Sequence, residues 1–325
     1  MSPRLVVLLM ATSLLVAPSA ALAQRPGKLP RIGVLSPTAP SPPSSPQVEY
    51  LVQSLRELGY ENGKTATIEV RYGANSPERL AEFAVELVRL QVDVIATTGD
   101  LSTRAAQRAT TTIPIVAAVG FPVESGFVAS LARPGGNTTG ISVQADELAV
   151  KRLELLKQAL PRMTRVAFLW DPVTSERQVR AAEAATKSLG LQLQVLQVRA
   201  PAELPRAFES AVRGRADGLA VAVSPMLVTS REAMVALSTK HRIPAVYAER
   251  EYVEFGGLMS YGPNLADTRR IAAAQIDRIL KGAKPADLPF QQATKFDLLL
   301  NLKTAKALGL TLPQSLLLRA DQVIR

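Results

Sequence analysis

The chain has 325 residues, a formal charge of +10, 5% aromatic residues, one histidine and no cysteine. The missing cysteine excludes disulfides, thiolate zinc sites, cysteine nucleophiles and attachment through a lipidated cysteine. Basic residues are spread rather than clustered and aromatics are few, so the charge reads as a solubility feature and no nucleic-acid partner is expected.

In chain order, the first element is an export leader. Arg4 supplies a positive start, an apolar run covers 5–16, Pro18 breaks it, and Ala21-Leu22-Ala23 gives the small-x-small pattern before Gln24. This predicts a signal peptide over 1–23, since the run is too short to span a bilayer. With no cysteine to carry a lipid, a second membrane must retain the mature protein, so a periplasmic location is expected.

Roughly 300 residues then remain, which favours two lobes over one core. Residues 32–35 read as a first strand, followed by a Pro/Ser loop over 37–46 and a helix with Leu51, Leu55 and Leu58 on one face, stopped by Gly59. A strand over 66–72 follows, and Ser76-Pro77 predicts a helix start with Leu80, Ala84 and Leu87 buried. Residues 92–96 and 113–118 read as strands flanking a helix over 101–110. After Gly140 the pattern restarts: a helix with Ala149, Leu153, Leu156 and Leu160, then strands over 166–170, 191–198, 219–223 and 243–247 separated by helices. Two successive βα series predict two similar lobes, each a parallel sheet covered by helices.

Apparent catalytic motifs fail on context. The segment 59–65 lacks the first glycine of a phosphate-binding loop, with Leu58 in its place, and runs from helix to strand, the wrong order for anion capture. Glycines 135, 136 and 140 join no strand to a helix in the dinucleotide pattern and read as an inter-lobe turn. His241, between Lys240 and Arg242, reads as a cation at a helix end. With one histidine and no cysteine, a multi-histidine metal site or a Ser-His-Asp triad around His241 is difficult to build, and no sequence pattern marks a carboxylate pair, so neither a catalytic group, a cofactor nor a metal is expected.

Five stretches, SLARPGGNTTGIS (130–142), KRLELLKQALP (151–161), GGLMSYGPN (256–264), ILKGAKPADLP (279–289) and NLKTAKALGLTLP (301–313), resemble the ABC-transporter substrate-binding protein family that includes tryptophan-binding TrpX-like proteins. The resemblance implies a type I periplasmic-binding-protein fold: two Rossmann-like α/β lobes with parallel sheets, joined by a three-crossing hinge around a ligand cleft. It places lobe 1 in 29–142 plus 262–285 and lobe 2 in 143–261 plus 286–325. The 130–142 and 256–264 motifs then suit two crossings, with a helix over 265–280 returning to lobe 1 and a third crossing within 290–300. Family members commonly read Asp-Pro-Val where this chain has Phe121-Pro122-Val123, which implies a different specificity.

Ligands of open parallel sheets lie beyond the carboxyl ends of the strands. That rule selects Ser36, Thr38, Thr97, Thr98, Gly120 and Phe121 in lobe 1, and Trp170, Asp171, Ser224, Tyr247 and Glu249 in lobe 2, with Tyr261 near the hinge. Thr97 and Thr98 before a helix start favour a carboxylate, Asp171 and Glu249 suit an ammonium, and the four aromatics offer apolar walls. The expected function is capture of a small amino acid or aromatic or aliphatic carboxylate by lobe closure, and its delivery by a monomer to an ABC permease. A periplasmic sensor handing ligand status to a membrane receptor is the alternative.

Overall fold

The computed structural model describes residues 29–40, 46–173 and 176–325; the expected leader over 1–23 and residues 41–45 of the Pro/Ser loop lie outside the described residues. The first series comprises β1 (Arg31–Ser36), α1 (Pro46–Glu57), β2 (Thr67–Tyr72), α2 (Pro77–Arg89), β3 (Val94–Thr98), α3 (Gly99–Ala109), β4 (Ile115–Val119) and β5 (Thr138–Ser142). The second comprises α4 (Ala145–Ala159), β6 (Arg165–Trp170), α5 (Arg177–Ser188), β7 (Gln192–Gln197), α6 (Leu204–Arg213), β8 (Gly218–Val221), α7 (Pro225–Thr229), α8 (Arg231–His241), β9 (Ala245–Tyr247), α9 (Glu251–Glu254) and β10 (Met259–Pro263). The last part adds α10 (Leu265–Leu280), β11 (Gln291–Gln292), β12 (Phe296–Asn301), α11 (Leu302–Ala307), α12 (Gln314–Leu317) and β13 (Gln322–Ile324).

Local signals act as their chemistry dictates. Ser76 Oγ accepts the Arg79 N–H at 3.2 Å and caps α2, and Gly59 leaves α1 with φ of 92°, a conformation that costs other residues a Cβ clash. The 59–65 segment is a turn, closed by the Glu61 N–H on Thr65 Oγ1.

The strands form two sheets, ordered β11-β5-β4-β3-β1-β2 and β13-β12-β10-β9-β8-β6-β7. The core orders 2-1-3-4-5 and 7-6-8-9-10 repeat each other, so the two βα series do build two similar lobes. Pairing is parallel apart from β10 with β12. Alternation sorts each strand between two helical layers: Val94 and Ala96 pack in one apolar cluster of lobe 1 and Ile95 in the other. Each such buried Leu, Ile or Val side chain stabilises the lobe by about 1.5–3 kcal/mol.

Three crossings join the lobes, as the resemblance implied: β5 to α4, β10 to α10, and β11 to β12. They are stitched to one another, the Ala293 N–H donating to the Ser142 carbonyl and the Asn264 N–H to the Lys295 carbonyl, both at 2.9 Å. Two details differ from the sequence reading. The glycine-rich segment is no inter-lobe turn throughout, because Thr138–Ser142 is an internal strand of lobe 1. The chain also stays with lobe 1 past 286: Gln291 and Gln292 pair with β5 and Phe290 packs in a lobe 1 cluster, so the last crossing follows Gln292.

Candidate functional site

Because every strand of the parallel cores points its carboxyl end toward the other lobe, the loops after β1, β3 and β4 face those after β8 and β9 across a cleft of about 170 Å³. That is room for a small organic molecule. The walls are mainly apolar, including Leu101, Val119, Phe121, Leu148 and Val228, with a few polar side chains from both lobes.

Of the candidates from sequence, Thr38, Thr98, Gly120, Phe121, Ser224 and Glu249 line the cleft. Ser224 caps α7, accepting the Leu227 N–H at 3.4 Å. Behind it the Gln178 amide bonds Val223 twice, donating to its carbonyl (3.2 Å) and accepting its N–H (2.9 Å), which fixes the loop after β8.

The other six are placed elsewhere. Ser36 is buried and pairs with Thr38 Oγ1 at 2.9 Å. Thr97 turns into α3, 2.7 Å from Thr103 Oγ1. Asp171 is buried and its Oδ1 closes a turn on the Val173 N–H. Trp170, expected as a wall, packs in the lobe 2 core, because it is still within β6 and shares the face of Val166 and Phe168. Tyr247 shares a face with Ala245, stacks on Tyr252 at 4.4 Å and meets Ser238 Oγ at 2.9 Å. Tyr261 packs against the lobe 2 core and stacks on Phe296. The apolar walls are therefore aliphatic apart from Phe121.

The carboxylate expectation for the α3 start also changes. Asp100, in the first turn of α3, accepts the Ser125 hydroxyl at 2.9 Å and a hydrogen bond from the Gly120 backbone. Burial raises its pKa, against the effects of those bonds and of Arg104. The positive end of this helix is thus already faced by its own acid.

Sequence reasoning missed the polar groups that helices bring to the cleft. Gln47, in the first turn of α1, donates from Nε2 to Glu249 Oε1 across the lobes at 3.1 Å, and its Oε1 accepts from Arg269 Nη2 at 3.0 Å. Arg269 is on α10 and only 5% exposed. Burial lowers its pKa to about 10, with Glu249 opposing that shift. Glu249, its side chain partly accessible but its carboxyl deep in the cleft, is pushed up to about 8 by burial and then by Glu251, against Arg231, Gln47 and Arg269. One signal was available for Arg269: it lies in phase with Ala272, Ala273, Ile276 and Ile279, a charge on the buried stripe of α10.

A second set of contacts joins the lobes at the cleft mouth. The Arg177 guanidinium of α5 lies 5.1 Å over the Phe121 ring, 3.8 Å from Glu124 and 3.6 Å from Asp146. Partly exposed contacts of this kind are worth about 0.5–1 kcal/mol. Arg177→Ala is therefore expected to weaken solute binding roughly 2–5-fold, read by titration calorimetry.

Among the described residues no group of three or more His, Cys, Asp or Glu is arranged to hold a metal ion. A family model described as ABC transporter substrate binding protein matches residues 41–324. A tyrosine-binding protein of Clostridioides difficile (strain R20291) is 28% identical over 263 residues, 80% of this chain and 75% of that protein. Among solved structures, an ABC domain in complex with L-Trp from Streptococcus pneumonia superposes with a TM-score of 0.82 at 24% identity, covering 91% of this chain and 100% of that one. A ligand-free, open substrate-binding protein with adhesive properties from Clostridium difficile gives 0.67 at 24% identity, covering 91% and 99%.

Proposed function

The chain belongs to the ABC transporter substrate-binding protein family, and from that premise we propose that it captures a small amphipathic organic solute, an amino acid or an aromatic or aliphatic carboxylate, by closing its lobes. It is a solute-binding protein that delivers a small molecule to an ABC importer. The observation that carries the finer reading is the mixed cleft: apolar walls, with polar side chains contributed by both lobes and bridged by the Gln47–Glu249 hydrogen bond. A solute touching both lobes favours the closed arrangement, because only closure satisfies both sets of contacts. The ligands of the two similar proteins, tyrosine and L-Trp, support an amino acid or aromatic acid. The mature protein acts as a periplasmic monomer, binds without converting its solute, and presents the closed form to its permease.

Thermal melting of the purified protein against amino acids, aromatic and branched aliphatic acids, and uncharged polyols tests this reading. A solute at 100 times its Kd is expected to stabilise the fold by about 2.7 kcal/mol. Consumption of a solute with no shift in melting by any compound would remove the binding reading.

A further inference from the structure

Charges buried in protein interiors are ordinarily paired, because an isolated ion loses several kcal/mol of hydration. Arg269 breaks that rule beside a cavity. It is 5% exposed, lines the cleft, and has no carboxylate within ion-pair distance among the described residues. Its Nη2 donates to the Gln47 amide oxygen, a neutral group, and its Nε has no hydrogen-bond partner among the described residues. The acid closest in this network, Glu249, is reached only through Gln47. Burial alone does not make a site: Arg152 of α4 is 1% exposed and likewise lacks an acidic partner, but it donates to the Tyr261 carbonyl and does not line the cleft.

We propose that Arg269 is the anchor for a carboxylate on the solute, so that the cleft selects small organic acids over their uncharged analogues. A guanidinium presents a planar fork of donors that matches a carboxylate, and the pairing is strongest where water is excluded. The apolar walls of Leu101, Phe121, Leu148 and Val228 then receive the rest of the molecule. Asp100 disfavours the rival anchor, since an acid already stands in the first turn of α3. Gln47 is a positioning residue: it holds the guanidinium from α1 and connects it to the opposite lobe, so that charge recognition and lobe closure share one contact chain.

This inference rests on the solute-binding reading, and the test separates the two. Titration calorimetry at pH 7 compares 3-phenylpropanoate with 3-phenylpropanamide, and L-tyrosine with L-tyrosinamide, with myo-inositol as an uncharged solute. At least one acid is expected to bind roughly 30-fold or more tightly than its amide, the scale of a desolvated charge pair. Arg269→Gln should abolish that preference, and Arg269→Lys should keep part of it. Circular dichroism reports whether each variant folds, and the acid–amide comparison in the unaltered protein decides the matter even if one does not. Equal binding of acids and amides, an acid preference that survives Arg269→Gln, or no binding by any acid overturns the assignment. If myo-inositol alone binds, the solute-binding reading stands and the Arg269 anchor falls.

Discussion

Replacing Gly262 with alanine is expected to destabilise the protein by more than about 3 kcal/mol, beyond the usual cost of overpacking. A Cβ built there lies 1.9 Å from the Ala248 carbonyl oxygen and 3.1 Å from its carbon. The obstacle is backbone one residue past β9, so no rotamer change relieves it. Gly140 repeats the arrangement in lobe 1, where a Cβ would meet the Ala117 carbonyl oxygen of β4. Both glycines sit on strands that lead out of their lobes, β5 and β10. Gly136→Ala is the control: a Cβ there meets nothing within 4 Å, and its effect should stay within about 0.5 kcal/mol. Thermal melting checks both, with a loss of roughly 6 °C or more expected for Gly262→Ala. A melting temperature equal to that of the unaltered protein would refute the clash.

The same contacts explain what the sequence made legible. Strands β1, β3, β4, β6 and β8 stand out because both faces are buried, which demands runs such as Val94-Ile95-Ala96 and Phe168-Leu169. Strand β5 hides, because its centre must be glycine to pass Ala117, and Thr138-Thr139-Gly140 then reads as a turn. At the site, the strand-end rule found the loops but not the pleat. Residues one or two past a strand, such as Thr38 and Glu249, reach the cleft, whereas the last strand residues Trp170 and Tyr247 obey alternation and enter the core. Gln47 and Arg269 were invisible to that rule. They are 222 positions apart and meet only because α10 crosses back and packs on α1.

The second large effect is a loss of carboxylate affinity at alkaline pH, set by Glu249. Its carboxyl is pushed up to about 8, first by burial and then by the Glu251 charge, while Arg231, the Gln47 hydrogen bond and Arg269 pull the other way. At pH 7 the group is therefore mainly neutral, and Arg269 keeps its whole charge for the solute. Above pH 8 the Glu249 anion forms beside the solute carboxylate, repels it and competes for Arg269 through Gln47. A solute acid with an ordinary pKa near 4–5 is ionised throughout, and Arg269 stays charged up to about 10, so only Glu249 among these groups changes charge between pH 7 and 9.5. Affinity for 3-phenylpropanoate should be level from pH 6 to 7 and then fall, by up to tenfold per pH unit above 8. Glu249→Gln should flatten the profile. Stability without added solute has a matching sign. The folded protein holds this proton up to about 8 and the unfolded chain only to about 4.3, so the stabilising contribution is full below about 4.3 and is lost as pH climbs to 8. The difference in melting temperature between the unaltered protein and Glu249→Gln should shift accordingly across pH 5–8. Affinity that stays level to pH 9.5 in the unaltered protein would show that Glu249 does not reach the solute's charge, even where Arg269 does.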